Sequence, residues 1–417
     1  MKALLTSALS FFVVFFGAGQ NTLTIERCYA LAEANYPLSA QRDLIQKTKD
    51  LSIENASKGH LPQISLAGQA TYQSDVTRIP LEMPGIQPLS KDQYRVFGEI
   101  SQNLYHGGLI KQQEEAEEIS GAIDAGKLDV DLYQLRNRIN DLFFGIVLLQ
   151  EQRAQRELVK QDLVAALGKV EGSIRYGTAL RSAADVLNAE SLHVDQGIIE
   201  LESAEASYRE MLGLFIGEPV LSSTLLAKPD WSMTDETIAR PELRLFDLQK
   251  QDIEANRAMV AARKKPRIDL FLQGGYGRPA LNMLDNSFDT YYLGGVRFTW
   301  QLSGYYTFRR EKEVLDLRQQ SLGVQEETFL FNTNLTSRQH HAEIAKLQRL
   351  LAVDDEIISL RRRVQETASA QLEEGVIPAT DYVREVNATG QARQNRVLHE
   401  AQLLMAQARY RFTNGNE

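Results

Sequence analysis

Residues 58–72 read KGHLPQISLAGQATY, and residues 262–276 read ARKKPRIDLFLQGGY. The likeness extends in both directions. Pro37, Pro62 and Tyr72 match Pro241, Pro266 and Tyr276 at a displacement of 204 residues. Leu104, Gly177 and Gly217 match Leu302, Gly375 and Gly415 at a displacement of 198. The six-residue difference falls wholly between the tyrosine and the leucine, in a connection that is longer in the first copy. One tandem duplication with one loop indel accounts for all six pairs. The organisation expected is a leader at 1–19, a first repeat at 20–218, a linker at 219–235 and a second repeat at 236–417.

Within the quoted stretches apolar residues recur at every second position. Ile64, Leu66, Gly68, Ala70 and Tyr72 alternate with Ser65, Ala67, Gln69 and Thr71; Ile268, Leu270, Leu272, Gly274 and Tyr276 alternate with Asp269, Phe271, Gln273 and Gly275. Downstream of each stretch a second segment follows the same rule. Tyr94, Val96, Gly98, Ile100 and Leu104 face away from Arg95, Glu99, Ser101 and Asn103, and Tyr292, Val296, Phe298, Trp300 and Leu302 face away from Arg297, Thr299 and Gln301. A period of two marks strands with one apolar and one polar face.

A soluble hairpin with a buried side would show the same alternation. The start of the chain favours a membrane. MKALLTSALSFFVVFFGAGQ has a basic beginning, a short apolar run and a small-residue exit, the grammar of an export signal with cleavage after Gly19. No later stretch is apolar and long enough for a spanning helix, so entry into a membrane falls to the strands. About ten tilted residues cross the hydrocarbon layer, and aromatic residues favour its borders. The proline-bearing connections 73–93 (Pro80, Pro84, Pro88) and 277–291 (Pro279) read as outer loops. Four strands cannot close a barrel, and open edges in lipid would strand backbone donors and acceptors at several kcal/mol each. Other copies of the chain must close it; strand arithmetic alone leaves dimer, trimer and tetramer open.

Beyond each second strand lies a glycine region, Gly107-Gly108 or Gly304, and then a proline-free stretch ending at Gly177 or Gly375. A helix filling most of such a stretch would be about 100 Å long. Leu128, Leu132, Leu135, Ile139, Leu142, Ile146 and Leu149 advance by alternating fours and threes, a heptad seam. Leu350, Val353, Ile357, Leu360 and Val364 repeat the device in the second half. Arg153, Arg156 and Lys160 interrupt the first seam and read as a solvated face. A returning helix follows each glycine, and shorter helices at about 24–57 and 236–264 precede the strands. The fold class expected is mostly α with membrane β.

The net charge of −9 excludes an ordinary nucleic-acid binder. Cys28, the single cysteine, reads as a small buried thiol. His340 and His341 beside Glu343 point about 100° apart on a helix, a poor zinc pair and a solvated face instead. GGYG at 274–277 precedes a strand rather than a helix, so it reads as close packing in a wall rather than a nucleotide loop. No catalytic or metal site and no cofactor is expected.

The duplicated helix–strand–strand–helix–helix unit, NLYHGGLIKQQ at 103–113, and the turns RYGTALRSAADVLNAE and EEGVIPATDYVREVN together resemble the TolC-like outer-membrane efflux proteins over essentially the whole mature chain. The resemblance implies a homotrimer with a shared twelve-stranded barrel in outer-membrane lipid and a helical tube in the periplasm. It implies a passive exit duct for tripartite efflux or type I secretion, served by an inner-membrane transporter and a periplasmic adaptor, and no catalysis. Gly177, Thr178, Gly375 and Val376 match the family's adaptor-docking turns. Asp185 and Asp381 match aspartates near the inner aperture; the plain reading of each is a helix-start acid favoured by the macrodipole, and for Asp185 contact with neighbouring helices is the preferred reading. Arg384 departs from the family, which repeats an acid there, and makes a salt-bridged ring an alternative to a cation-attracting one. An exported soluble coiled-coil scaffold is the competing function.

Overall fold

The computed structural model describes residues 22–77, 89–231 and 237–416. The expected leader, the prolines of the first outer loop and residues 232–235 of the expected linker lie outside these. The elements follow the order β1 (Thr22–Leu23), α1 (Ile25–Asn35), α2 (Gln41–Ser57), β2 (Gln63–Tyr72), β3 (Asp92–Tyr105), α3 (Leu109–Tyr133), α4 (Leu135–Arg175), α5 (Arg181–Ile216), β4 (Leu225–Leu226), α6 (Pro241–Ala262), β5 (Arg267–Arg278), β6 (Asp289–Thr299), α7 (Tyr305–Glu373) and α8 (Ala379–Asn414). Among the described residues no helix is long and apolar enough to cross a membrane. The chain divides into two compact units, and each draws on both halves of the sequence.

One unit, 40–131 with 240–332, holds the sheet. Its strand order is β2-β3-β5-β6, every pairing antiparallel, so that β2 and β6 are the edges. The register puts Ile64, Ile100, Leu272 and Gly294 in one row and Leu66, Gly98, Gly274 and Tyr292 in the next, so the apolar positions of all four strands share a face. β6 is shorter than its alternation suggests. Trp300 and Leu302, placed on the strand by sequence, lie beyond it: the Trp300 indole donates to the Lys264 carbonyl at 2.9 Å, and Leu302 opens a 3-10 turn. Leu104 sits in β3 at a register shift between Asn103 and Tyr105, outside the ladder.

Glycine does specific work in this sheet. A Cβ at Gly275 would stand 2.7 Å from both the Tyr291 ring and the Val96 carbonyl, so the missing side chain lets the tyrosine lie over the strand.

The other unit comprises the described residues up to Ser39 together with Leu132–Ala239 and Thr333–Glu417. Here α4 packs against α1, α5 and α8. Ile139 and Ile146 of the seam are fully buried, but so are Phe143 and Phe144, which a two-position seam omits, because α4 has neighbours on several sides. Arg153 and Lys160 keep 36% and 41% of their side chains exposed, and both are also ion-paired. Arg153 lies 3.7 Å from Glu202 and Glu205, and Lys160 lies 2.6 Å from Asp195, so α5 supplies carboxylates along that stretch. His340 is half-buried, and burial with Arg409 nearby holds its imidazole below the ordinary histidine range.

The second heptad seam behaves differently. Val353, Ile357, Leu360 and Val364 are 41–52% exposed, whereas Leu315, Leu322, Thr333, Ile344, Leu347, Asp354, Gln365 and Ala368 of α7 are buried. Leu350, the first residue of the seam, is partly buried against Ile344, Leu347, Ala406 and Tyr410. From Val353 to Val364 the four-three stripe of α7 therefore faces away from its own chain.

Candidate functional site

Two regions concentrate the residues singled out by sequence, one in each unit. The first is the apolar face of the sheet. Ile64, Leu66, Tyr72 and Tyr292 are each about 80% exposed, and Tyr94, Val96, Ile100, Leu104, Leu270, Leu272, Tyr276, Val296 and Phe298 are exposed with them. Ile268 is half-buried. A hydrophobic surface of this extent, ordered on four paired strands, marks an interaction surface. Among the described residues neither edge has a further strand beside it.

One end of this face is edged by an aromatic and charged cluster. Arg278 forms an ion pair with Asp92, and its guanidinium lies 5.5 Å from the Tyr94 ring and 5.1 Å from that of Phe288. Phe288 also stacks on Tyr276 at 5.6 Å. Asn286 ties the β5–β6 connection to the end of the β2–β3 connection: its Oδ1 accepts from the Ser90 amide and its Nδ2 donates to the Ser90 hydroxyl, both at 2.9 Å. Aromatic rings and a paired arginine at the border of an apolar band fit the transition from hydrocarbon to water. Sequence reasoning did not include Arg278 or Phe288, although an arginine at the close of an alternating strand was available as a signal.

The second region is the pair of turns at 176–180 and 374–378. α4 ends with Gly177 at φ +75° and α7 with Gly375 at φ +69°. In the first turn the Gly177 amide donates to Ile174 at 3.0 Å, and the Thr178 amide and hydroxyl donate to the Ser173 carbonyl at 2.9 and 3.0 Å. In the second, Gly375 donates to Leu372 at 3.1 Å and Val376 to Gln371 at 2.8 Å. Both are Schellman closures, which need a left-handed residue after the helix and so select glycine. The same bonds hold whether or not anything docks there.

Between the turns lies a cleft of about 480 Å³ lined by Leu180, Val186, Leu372, Val376 and Ile377 among others. Leu180 and Val376 are exposed at its rim, and so is the neighbouring Tyr176. The flanks differ in charge: Arg175 and Arg181 bound the first turn, Glu373 and Glu374 the second, and Lys169 reaches Glu373 at 2.9 Å. Beneath the cleft Val170, Leu187, Ala379, Tyr382 and Val386 form a buried cluster. Burial raises the Tyr382 phenol above the ordinary tyrosine range.

Asp381 stands in the first turn of α8, whereas Asp185 is the fifth residue of α5, past its first turn. Asp185 is exposed. Asp381 lies 3.4 Å from Arg384, which also approaches Glu385 at 3.5 Å; Glu385 in turn is 3.6 Å from Arg361. The arginine is thus engaged by acids of its own helix. Among the described residues no cluster of histidine, cysteine or acidic side chains could hold a metal ion.

No family model matches the chain, and no curated protein does. Solved structures do. The outer membrane protein VceC of Vibrio cholerae matches at a TM-score of 0.65 and 12% identity, over 94% of this chain and 96% of its own. The open state of the Neisseria gonorrhoeae MtrE outer membrane channel matches at 0.66 and 14%, over 94% and 89%. The Campylobacter jejuni CmeC outer membrane channel matches at 0.62 and 11%, over 94% and 85%. At these identities the likeness is one of fold, and it spans nearly the full length of both partners.

Proposed function

We propose that this chain is one protomer of an outer-membrane exit duct, a passive conduit that catalyses no reaction. The observation that carries the reading is the sheet: an exposed apolar face on four paired strands, with two free edges. In water that face would expose a large hydrophobic patch, and in lipid the edges would leave backbone groups unpaired at several kcal/mol each. Both difficulties vanish when copies join edge to edge with the apolar face outward. Solved proteins of the same fold are described as outer-membrane channels, which supports the same location here.

Three copies would give a barrel of twelve strands, the number implied by the TolC-like resemblance. The exposed stripe of α7 and the exposed Leu192 and Ile199 of α5, seven residues apart, supply apolar helix faces for contacts between copies. The helices would form the periplasmic part of the wall. The turns at Gly177-Thr178 and Gly375-Val376 would receive the hairpin ends of a periplasmic adaptor, coupled to an inner-membrane transporter of an efflux or type I secretion system. Asp381, Arg384 and Asp185 would border the inner aperture. Tandem duplication of one repeat would account for the paired strands and paired turns.

The test is assembly and conductance. Protein extracted from outer membranes in detergent is expected to run as a heat-stable oligomer of three chains, by light scattering and on unheated gels, and to form ion-conducting pores in planar bilayers. A monomer that stays in solution without detergent and conducts nothing would replace this reading with that of an exported scaffold.

A further inference from the structure

The face of the sheet opposite the apolar one carries charges arranged to cancel. Pairing places Asn103, Asp269 and Arg297 in one row, and Glu99 with Gln273 and Leu293 in another. Arg297 leaves its own row. From β6 it crosses β5 to reach Glu99 on β3, Nη1 donating to Oε1 at 2.8 Å and Nη2 to Oε2 at 3.1 Å. On the way its guanidinium lies 4.5 Å from the centre of the Phe271 ring. A two-pronged bond at one end and an aromatic surface beneath hold the arginine flat against the wall. Arg267 pairs with Asp269 at 2.8 Å on the same face. Within the strands this leaves Arg95, set 5.8 Å from the Tyr291 ring, and Asp289, one charge of each sign.

We infer that the Glu99–Arg297 pair sets the ionic selectivity of the barrel lumen. The inference rests on the duct reading, which turns the apolar face to lipid and so turns this face to water. Paired, the two side chains leave the wall neutral and the passage clear. With one partner removed, each copy would contribute an uncompensated charge at one height, forming a ring. Such rings determine which ions a pore passes, and substitutions facing a barrel lumen tune selectivity. A lone charge acts over about 10 Å at 0.1 M salt, whereas the field of a closed pair fades much sooner.

Reversal potentials across a salt gradient in planar bilayers, at low ionic strength, test this with the full-length protein. Glu99→Gln is expected to shift permeability toward anions and Arg297→Gln toward cations. Each shift should be roughly threefold or more in the permeability ratio, the effect of one unit charge about 7 Å away through water. The double exchange E99R/R297E, which keeps both charges, should return to the wild-type value, and Arg297→Lys should stay near it. Heat-stable oligomers on gels establish that each variant has assembled; Glu99→Ser and Arg297→Ser stand in for a glutamine variant that does not assemble. Unchanged potentials, or shifts of the same sign in both single variants, would overturn the inference while leaving the duct intact. A wild-type protein that conducts nothing would instead overturn the duct.

Discussion

Cys28 and Asp381 show what individual side chains commit the molecule to. Burial pushes the Cys28 thiol up to about 12, and it has no exposed surface. At pH 8 only roughly one molecule in ten thousand would carry the thiolate, the form that reacts. Native protein is therefore expected to resist a disulfide labelling reagent at pH 8 and to react fully once unfolded. Labelling of the native state at the rate of a free thiol would contradict the burial. Asp381 presents the opposite case, an exposed acid beside Arg384. Replacing it with alanine should cost under about 0.5 kcal/mol of stability, as for other exposed ion pairs. If the two residues border the inner aperture, the change frees a positive charge there and should alter closed-state conductance or cation block in bilayers. Identical currents in the two proteins would remove Asp381 from the aperture. The sequence disclosed that an acid and a base share this helix start. It did not disclose that Glu385 and Arg361 extend the pairing, since Arg361 comes from another helix.

Strands and helices differed in how openly the sequence declared them. Alternation is a local property, so the faces of β2, β3, β5 and β6 could be assigned residue by residue, and the ladder pairs apolar with apolar. The end of β6 could not be, because it is fixed by the Trp300 bond to Lys264, a residue 36 positions away. The heptad seam of α7 illustrates a deeper ambiguity. A period of 3.5 announces a helical partner without saying which chain provides it, and in this chain the stripe remains exposed. Likewise Arg153 and Lys160 are part-exposed as their pattern suggests, but their acidic partners could not be read, because these lie on α5, beyond the turn at Gly177. At this scale the sheet yields a sharp expectation. Leu272 lies in a middle row of the apolar face, flanked by Ile100 and Gly294. If that face meets lipid, Leu272→Arg should destabilise the inserted state by about 2–4 kcal/mol, the cost of such a charge near the bilayer midplane. The fraction of heat-stable oligomer in outer membranes should fall sharply. Undiminished insertion would mean that this face does not contact hydrocarbon.

For the whole molecule the governing fact is that a single chain leaves two kinds of apolar surface uncovered, one on the sheet and one along α7. Both are explained if protomers associate. Ile357→Glu puts a charge into the middle of the α7 stripe without touching the residues buried within the chain. Helix content measured by circular dichroism should be unchanged, while the oligomer should dissociate at a lower temperature in detergent. An oligomer as heat-resistant as the wild type would show that the stripe lies outside the contacts between copies.

The ladder itself has a consequence for how many copies can assemble. With four strands joined antiparallel throughout, the two borders of the ribbon run in opposite directions. If copies join edge to edge, the trailing border of one would therefore meet the leading border of the next in antiparallel sense, whether the ring had two members, three or more. Backbone polarity places no parity rule on stoichiometry. The count must be selected by curvature, through the glycine-relieved wall and the wedge angle of the packed helices. In such a ring, repacking those alone would change the number of copies without sacrificing one inter-strand bond.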